Sequence, residues 1–328
     1  MAGKVRELEW SLSRGRMFEE CPRRFYYHYY FAKAGFAPDA PDEARLALEM
    51  RRLKGLDMWV GEIVHQVIQW TLEQAKAGTV ISKPAAQSQT RHLLSDGWKC
   101  SITQEWRKKQ DDEHPSLFEH YYEVPVGKAV TDRLKEKAFT SIGNFMDSDI
   151  FKEIAAAPAE RWLPIDKYAS FRLDGLLMYV KFDFALRDGK RLTVYDWKTG
   201  NPTPDEDRQL TCYSMYTSSK WDIPIKNVKA CAVHLQPTLE EHTLLVDEDG
   251  MDDLRTFVKQ GFNAMVQCLR NPARNIAAMD DFAVTGNLLR CVRCNFKRIC
   301  EQGRLASGEL EGAPPTDDWG ETQPNPSP

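Results

Sequence analysis

Nowhere in its 328 residues does this chain hold an uninterrupted apolar run of the roughly 20 residues that a helix needs to cross a bilayer. Residues 1–8 also lack the apolar stretch of a secretory leader. Together these absences give the expectation of a soluble, cytoplasmic protein. Strong net charge is missing as well: 44 Lys and Arg against 48 Asp and Glu leave −4, which does not advertise a partner that is a polyanion. The C-terminus weights that figure. Residues 301–328 hold six acids against one Arg, a balance of −5, so residues 1–300 come to about +1. Local basic groups survive at Arg14, Arg16, Arg23 and Arg24, at Arg51, Arg52 and Lys54, and at Arg290, Arg293, Lys297 and Arg298. Each is as compatible with a solvated face as with a phosphate-binding one. Internal repeats are absent, and eight cysteines in a chain read as intracellular argue against a disulfide framework.

What is present is enough chain to bury a sizeable core. Residues 11–31 read as two short helical pieces, the second opened by Pro22 and lined by Phe25, Tyr26, Tyr29 and Tyr30. Core packing is the plain role for those rings, and a stacking surface for bases is the sharper one. A Pro- and Ala-rich connection follows over 32–43. Residues 56–77 have helical period, with Ile63, Val67 and Trp70 on one stripe flanked by Val64 and Ile68, and Gly78 as the stop. Further helix is expected within 86–110 and 128–147. From Arg161 the texture turns to strands: 177–186 alternates, Asp188-Gly189 signals a tight turn, and 192–198 alternates again, which reads as a β-hairpin. A helix over 205–216, strands over 228–235 and 242–246 and a helix over 251–269 complete the pattern. The acidic, Pro-rich tail over 307–328 is expected to be disordered.

Asp196 and Lys198 share one face of their strand, with Trp197 on the other. A carboxylate that can hold a hard cation, beside an ammonium that can steady a water or a phosphate, is the kernel of a metal-dependent phosphodiesterase site. If Asp188-Gly189 is a two-residue loop, facing residue numbers sum to 377. Asp183 then faces Val194, Asp196 faces Lys181, and the two acids are diagonal neighbours about 7–8 Å apart. Met178, Val180, Phe182, Phe184 and Leu186 make the other face wholly apolar and hence buried. An amphipathic hairpin with solvated ion pairs is the simpler account of the same residues. Asp174, before Gly175, competes with Asp183 as the first acid.

Three cysteines cluster as Cys291-x2-Cys294-x5-Cys300, with Cys21 as a distant fourth member. Four thiolates suit either a tetrahedral zinc or an iron–sulfur cluster, and spacing does not choose between them. Alternatively, Cys21 is a small buried apolar residue and the trio binds zinc alone. Cys100, Cys212, Cys231 and Cys268 have no comparable spacing and read as core or free thiols.

In order along the chain, Gly61-x3-His65, Asp183, Asp196-x-Lys198 and Gln209-x3-Tyr213 resemble the RecB-like branch of the PD-(D/E)XK nuclease superfamily. Cys21-Pro22-Arg23-Arg24-Phe25 with the C-terminal cysteine trio looks like the [4Fe–4S] arrangement of Cas four-type and AddB-like exonucleases. The resemblance implies an α/β fold: a central mixed β-sheet flanked by helices in a restriction-endonuclease-like core. A helical insertion at about 77–157 and a cluster segment 287–300 joined to Cys21 would complete a single domain over 1–306. It further implies Mg²⁺ or Mn²⁺ held by His65, Asp183, Asp196 and the Trp197 carbonyl, a catalytic Lys198, and Gln209 and Tyr213 supporting the site and the strand. The implied activity is an exonuclease on single-stranded DNA ends, in recombination, repair, phage replication or CRISPR adaptation, with a helicase, recombination or integrase-type protein partner. Lys181 departs from the pattern, which commonly has Gly two residues before the first acid. It leaves open a catalytically weak DNA-binding scaffold with the same fold, and zinc at the cysteines leaves open a protein that is not a nuclease.

Overall fold

The computed structural model describes residues 7–108, 114–163 and 169–308. The tail beyond residue 308 and the first six residues, on which two of the expectations above fall, lie outside them. The chain divides into two compact units, a larger one of Glu7–Leu12 with Leu53–Ala264 and a smaller one containing Ser13–Arg52 and the chain from Met265 onward.

Among the described residues the larger unit contains nine strands: β1 (Glu9–Trp10), β2 (Leu53–Lys54), β3 (Ser116–Leu117), β4 (Ala169–Leu173), β5 (Leu176–Val180), β6 (Phe184–Asp188), β7 (Arg191–Lys198), β8 (Val228–His234) and β9 (Glu240–Leu244). Its principal sheet has the order β6-β7-β8-β9, antiparallel at both edges and parallel between β7 and β8. A parallel pair needs a crossover, and the Glu206–Trp221 helix supplies it. Tyr195, Trp197, Phe184, Leu186, Cys231 and Val233 project to one face, where the helices Leu56–Lys76, Lys83–Ile102, Lys128–Asp147 and Asp149–Ala156 bury them. The helices of 83–156 therefore contribute to the main hydrophobic cluster. Val194, Ala230 and Ala232 lie on the opposite face and are buried as well. Burial on both faces is why β7 reads as a nearly continuous apolar run.

Two expectations of the sequence fail at the hairpin. Residues 177–186 do not form one strand: β5 ends at Val180, pairs with β1 and β4 in a separate sheet, and the chain passes through Lys181, Phe182 and Asp183 before β6 begins. The apolar alternation continues across the break, with Met178, Val180, Phe182, Phe184 and Leu186 all buried, so periodicity does not reveal it. The register is also different. Asp188 pairs with Arg191 and Phe184 with Tyr195, so facing numbers sum to 379 and the turn is Gly189-Lys190. Only Gly189 of that pair has a positive φ, +57°, which suits the first central position of a type II′ turn. The shift of two keeps every side chain on its face but moves its partner. Asp183 is brought opposite Asp196, and Lys181 does not face Asp196. Asp174 and Gly175, with φ of +48° and +85°, form the tight turn between β4 and β5, which removes Asp174 from the acidic site.

Helix ends follow local chemistry. The Leu56–Lys76 helix receives the Glu119 carboxylate on its first amide at 3.2–3.3 Å, and Gly78, at φ +83°, ends the chain direction beyond it. In the smaller unit, residues 13–20 and Pro22–Tyr26 are helical, and a π-helical turn over Tyr27–Phe31 continues them. The 32–43 stretch, expected as a connection, is helical over Ala32–Ala34, and a helix over Asp42–Arg51 follows. Phe18, Phe25, Tyr27, Phe282 and Phe296 are buried there, with Phe25 stacked on Phe282 at 6.4 Å and Tyr27 on Phe296 at 5.4 Å. Of the four rings singled out in the sequence, Phe25 packs in the core, while Tyr26, Tyr29 and Tyr30 are partly exposed.

Candidate active site

Three structural elements of the larger unit converge where β7 ends. The Leu56–Lys76 helix brings His65, the residue just before β6 brings Asp183, and β7 brings Asp196 and Lys198. Asp183 sits one residue before Phe184, the first paired position of β6. Its backbone N–H still donates to the Tyr195 carbonyl at 3.2 Å, while its Oδ2 accepts the Trp197 N–H at 2.8 Å. The carboxylate thus takes a ladder hydrogen bond that a backbone carbonyl would otherwise accept, which fixes it beside Asp196. Its other oxygen lies 2.8 Å from His65 Nδ1. Gly61, one turn before His65, lets the helix approach closely: a Cβ there would stand 2.9 Å from Thr199 Oγ1. The sequence spacing Gly61-x3-His65 has a steric reason.

Lys198 is held from both sides. Its ammonium lies beside Asp196 Oδ2 and donates to Gln209 Oε1 at 2.6 Å, and Gln209 Nε2 donates in turn to the Tyr213 hydroxyl at 2.7 Å. Gln209 and Tyr213 share a face of the Glu206–Trp221 helix, as spacing of four requires. The Trp197 indole points the other way, stacked on Tyr195 at 5.5 Å and edge-on to Phe145 at 5.1 Å.

Burial sets the electrostatics. Burial first, and then the Asp183 charge, push the Asp196 carboxyl up, against the pull of Lys198 and His65. Burial also opposes charge on Asp183. There, however, the charge and hydrogen bond of His65 and the Trp197 N–H win, and its carboxyl is held below the usual range. His65 shows the reciprocal balance: burial disfavours its imidazolium, but Asp183 and Asp196 raise its affinity for a proton, with Lys181 opposing. Tyr213 is driven well upward, mainly by burial, and keeps its proton.

The donors suit a hard divalent cation: two carboxylates and an imidazole, with Asp196 Oδ2 buried and ion-paired with the Lys198 ammonium. Among the described residues no group of three or more His, Cys, Asp and Glu already stands in metal-holding geometry. His65 and Asp183 are bonded to each other instead.

A family model for the PD-(D/E)XK nuclease superfamily matches residues 9–301. The chain belongs to the PD-(D/E)XK nuclease superfamily. No curated protein matches it. Members of the superfamily are typically nucleases, hydrolases of phosphodiester bonds that usually use Mg²⁺ or Mn²⁺ and act on DNA. Among the described residues no helix is long and apolar enough to cross a membrane.

The four singled-out cysteines all lie in the smaller unit. Cys21 caps the Pro22–Tyr26 helix, its Sγ accepting the Arg24 N–H at 3.4 Å. Cys294 donates its amide to the Cys291 carbonyl at 3.1 Å, and the Cys300 amide bonds to Phe296 at the same distance. Burial, reinforced by the charges of Cys21 and Cys300, pushes the Cys291 thiol up to about 11 and Cys294 to about 12. The remaining cysteines divide: Cys100, Cys212 and Cys231 are buried and Cys268 is partly exposed.

Sequence reasoning passed over two buried ionisable residues beside the site. His234, at the end of β8, is the register partner of Lys198, and its Nε2 lies 3.1 Å from the Glu206 carboxylate. A His at a strand end and a Glu in a helical first turn carry no sequence signal, because their meeting depends on the parallel pairing of β7 and β8.

Proposed function

We propose that this protein is a metal-dependent deoxyribonuclease that hydrolyses phosphodiester bonds at single-stranded DNA ends. The observation that carries the reading is the convergence of His65, Asp183, Asp196 and Lys198 in one hydrogen-bonded group around the buried Asp196 carboxylate, with Gln209 fixing the lysine. His65, Asp183, Asp196 and the Trp197 carbonyl are the groups that would hold Mg²⁺ or Mn²⁺, which when bound polarises the scissile phosphate and acidifies a water. Asp183 and Asp196 repel each other across a buried site, a tension that a cation relieves. Lys198, freed from neutralising Asp196 alone, stabilises charge on the phosphate oxygens. Gln209 spends its carbonyl on the ammonium and its amide on Tyr213, so the lysine is aimed before substrate arrives. Lys181 is exposed and lies outside the paired strands, so it does not face Asp196 as the sequence register had it, and its charge acts on the site by opposing the His65 imidazolium.

In the smaller unit, Cys21, Cys291, Cys294 and Cys300 are the thiols that would hold a [4Fe–4S] cluster as a structural staple, with zinc as the other occupant of the same thiols. Its support is the sequence spacing of the trio and the presence of all four as free thiols in the smaller unit, although among the described residues they do not already stand in metal-holding geometry. An absorbance band near 400 nm in anaerobically purified protein separates iron–sulfur from zinc.

The function is tested by digestion of end-labelled single strands against circular ones with and without Mn²⁺. Cleavage of linear strands only, abolished in folded Asp196→Ala and Lys198→Ala variants, is expected. Undiminished metal-dependent cleavage by both variants, or none by the wild-type chain, refutes the assignment. Cleavage of circles makes it an endonuclease.

A further inference from the structure

The segment joining β7 to the Glu206–Trp221 helix must deliver Gln209 to Lys198, yet residues 200–204 are exposed and form neither helix nor strand. Its ends are held by the C-terminal end of β8. The Leu235 N–H donates to the Lys198 carbonyl at 2.8 Å, and the Gln236 side-chain amide donates to the Thr199 carbonyl. His234 takes the next carbonyl, with Nδ1 3.3 Å from Gly200 O. The same ring reaches the helix, its Nε2 3.1 Å from Glu206 Oε1, three residues before Gln209. Both side chains are 8% exposed. One imidazole therefore touches the start of the segment and the start of the helix, while sitting beside Lys198 in the β7–β8 register.

Counting donors sharpens the point. The Gly200 carbonyl can only accept, so Nδ1 must carry hydrogen, and a neutral imidazole has no second N–H to offer. The Nε2–Oε1 contact then requires one more proton, held on the ring or on the carboxyl. Removing either partner leaves the other buried with an unmet polar group.

Resting on the nuclease reading above, we infer that His234 and Glu206 are positioning residues for the cleavage site: their proton-sharing pair clamps the 199–205 segment so that Gln209 holds the Lys198 ammonium against Asp196. Neither residue contacts the reacting atoms, so the pair acts on placement of the lysine and not on affinity for the strand.

Two readouts test this. The first is independent of activity: in a crystal structure of His234→Ala the Lys198 Nζ–Gln209 Oε1 contact, 2.6 Å in the wild type, is lost, whereas in Glu206→Gln it persists. The second is kinetic, on end-labelled single strands with Mn²⁺. His234→Ala and Glu206→Ala lower kcat by about 10²-fold, the cost of roughly 1 Å of misplacement, with KM little changed. Glu206→Gln, whose amide can donate to Nε2 while Nδ1 keeps Gly200, returns most of kcat. The clamp is refuted if the Lys198–Gln209 contact survives in His234→Ala, or if Glu206→Gln loses as much kcat as Glu206→Ala. Should His234→Ala not fold, His234→Gln replaces it: an intermediate loss of kcat with a lengthened contact supports the clamp, and wild-type kcat with the contact intact overturns it. If the wild-type chain cleaves nothing, the nuclease reading falls and the structural readout alone decides the clamp.

Discussion

Gly61 offers a measurement of how tightly the His65 helix is set against the end of β7. An alanine there would place its Cβ 2.9 Å from Thr199 Oγ1, whereas ordinary contact begins at 3.4 Å, so the two must part by at least 0.5 Å. Thr199 is buried and β-branched, and rotation about its χ1 exchanges one branch for another. The helix therefore moves more readily than the threonine. Overpacking of this kind costs about 1–3 kcal/mol, offset by about 1 kcal/mol from the better helix propensity of alanine. The net loss is about 0–2 kcal/mol, and each kcal/mol lowers Tm by about 2–4 °C in a unit of this size. Activity should suffer more than stability. His65 lies one turn along the same helix face, and its 2.8 Å contact with Asp183 moves with it. If about 1 Å of misplacement costs 10²-fold, half that displacement costs about tenfold in kcat. Thr199→Ala removes the opposing oxygen, so the double variant should recover Tm relative to Gly61→Ala and show a coupling energy of about 1 kcal/mol. The assay is thermal unfolding of the four members of the cycle, with single-strand digestion alongside. Additive Tm changes, or a Gly61→Ala protein as active as wild type, refute the proposed close approach.

Trp197→Ala removes a side chain 2% exposed, stacked on Tyr195 and edge-on to Phe145, and should cost about 3–5 kcal/mol in urea unfolding. A loss below about 1 kcal/mol contradicts its place in the core. Cys21→Ala should lower Tm and strip iron from the purified protein before it changes cleavage chemistry; full iron content and an unchanged Tm refute the staple. His28 predicts a pH dependence. Burial, helped by Arg51, Arg24, Arg14 and Lys33, lowers its imidazole from 6.5 to about 3 in the folded state. The unfolded chain takes up the proton first, so stability is complete above pH 6.5 and is lost as pH falls from there toward 3. At pH 5 the loss from this one residue is at most about 2 kcal/mol. His28→Gln should flatten that part of the stability profile, and parallel profiles for variant and wild type contradict it.

The sequence by itself determined everything whose cause is local. The Leu56–Lys76 helix follows from its apolar stripe and ends near Gly78, and the Lys128–Asp147 helix falls where the pattern places it. Alternation on β7 put Asp196 and Lys198 on one face and Trp197 on the other, and the spacing of four put Gln209 beside Tyr213. The order of the motif residues pointed to the superfamily whose match spans 9–301. Only the tertiary structure decided the partners. The break between β5 and β6 is invisible in sequence because both strands bury the same apolar face, one in each of two sheets. The hairpin register turned on which residue takes the positive φ: Gly189 takes it and Asp188 stays in the strand, which sets Asp183 opposite Asp196 instead of diagonal to it. The link from Lys198 to Gln209, and the His234–Glu206 pair beside it, exist because β7 and β8 run parallel and their ends are brought together by a crossover helix. Periodicity assigns a side chain to a face; which residue it meets there depends on pairing between segments far apart in the chain, and that is set by the packing of the whole core.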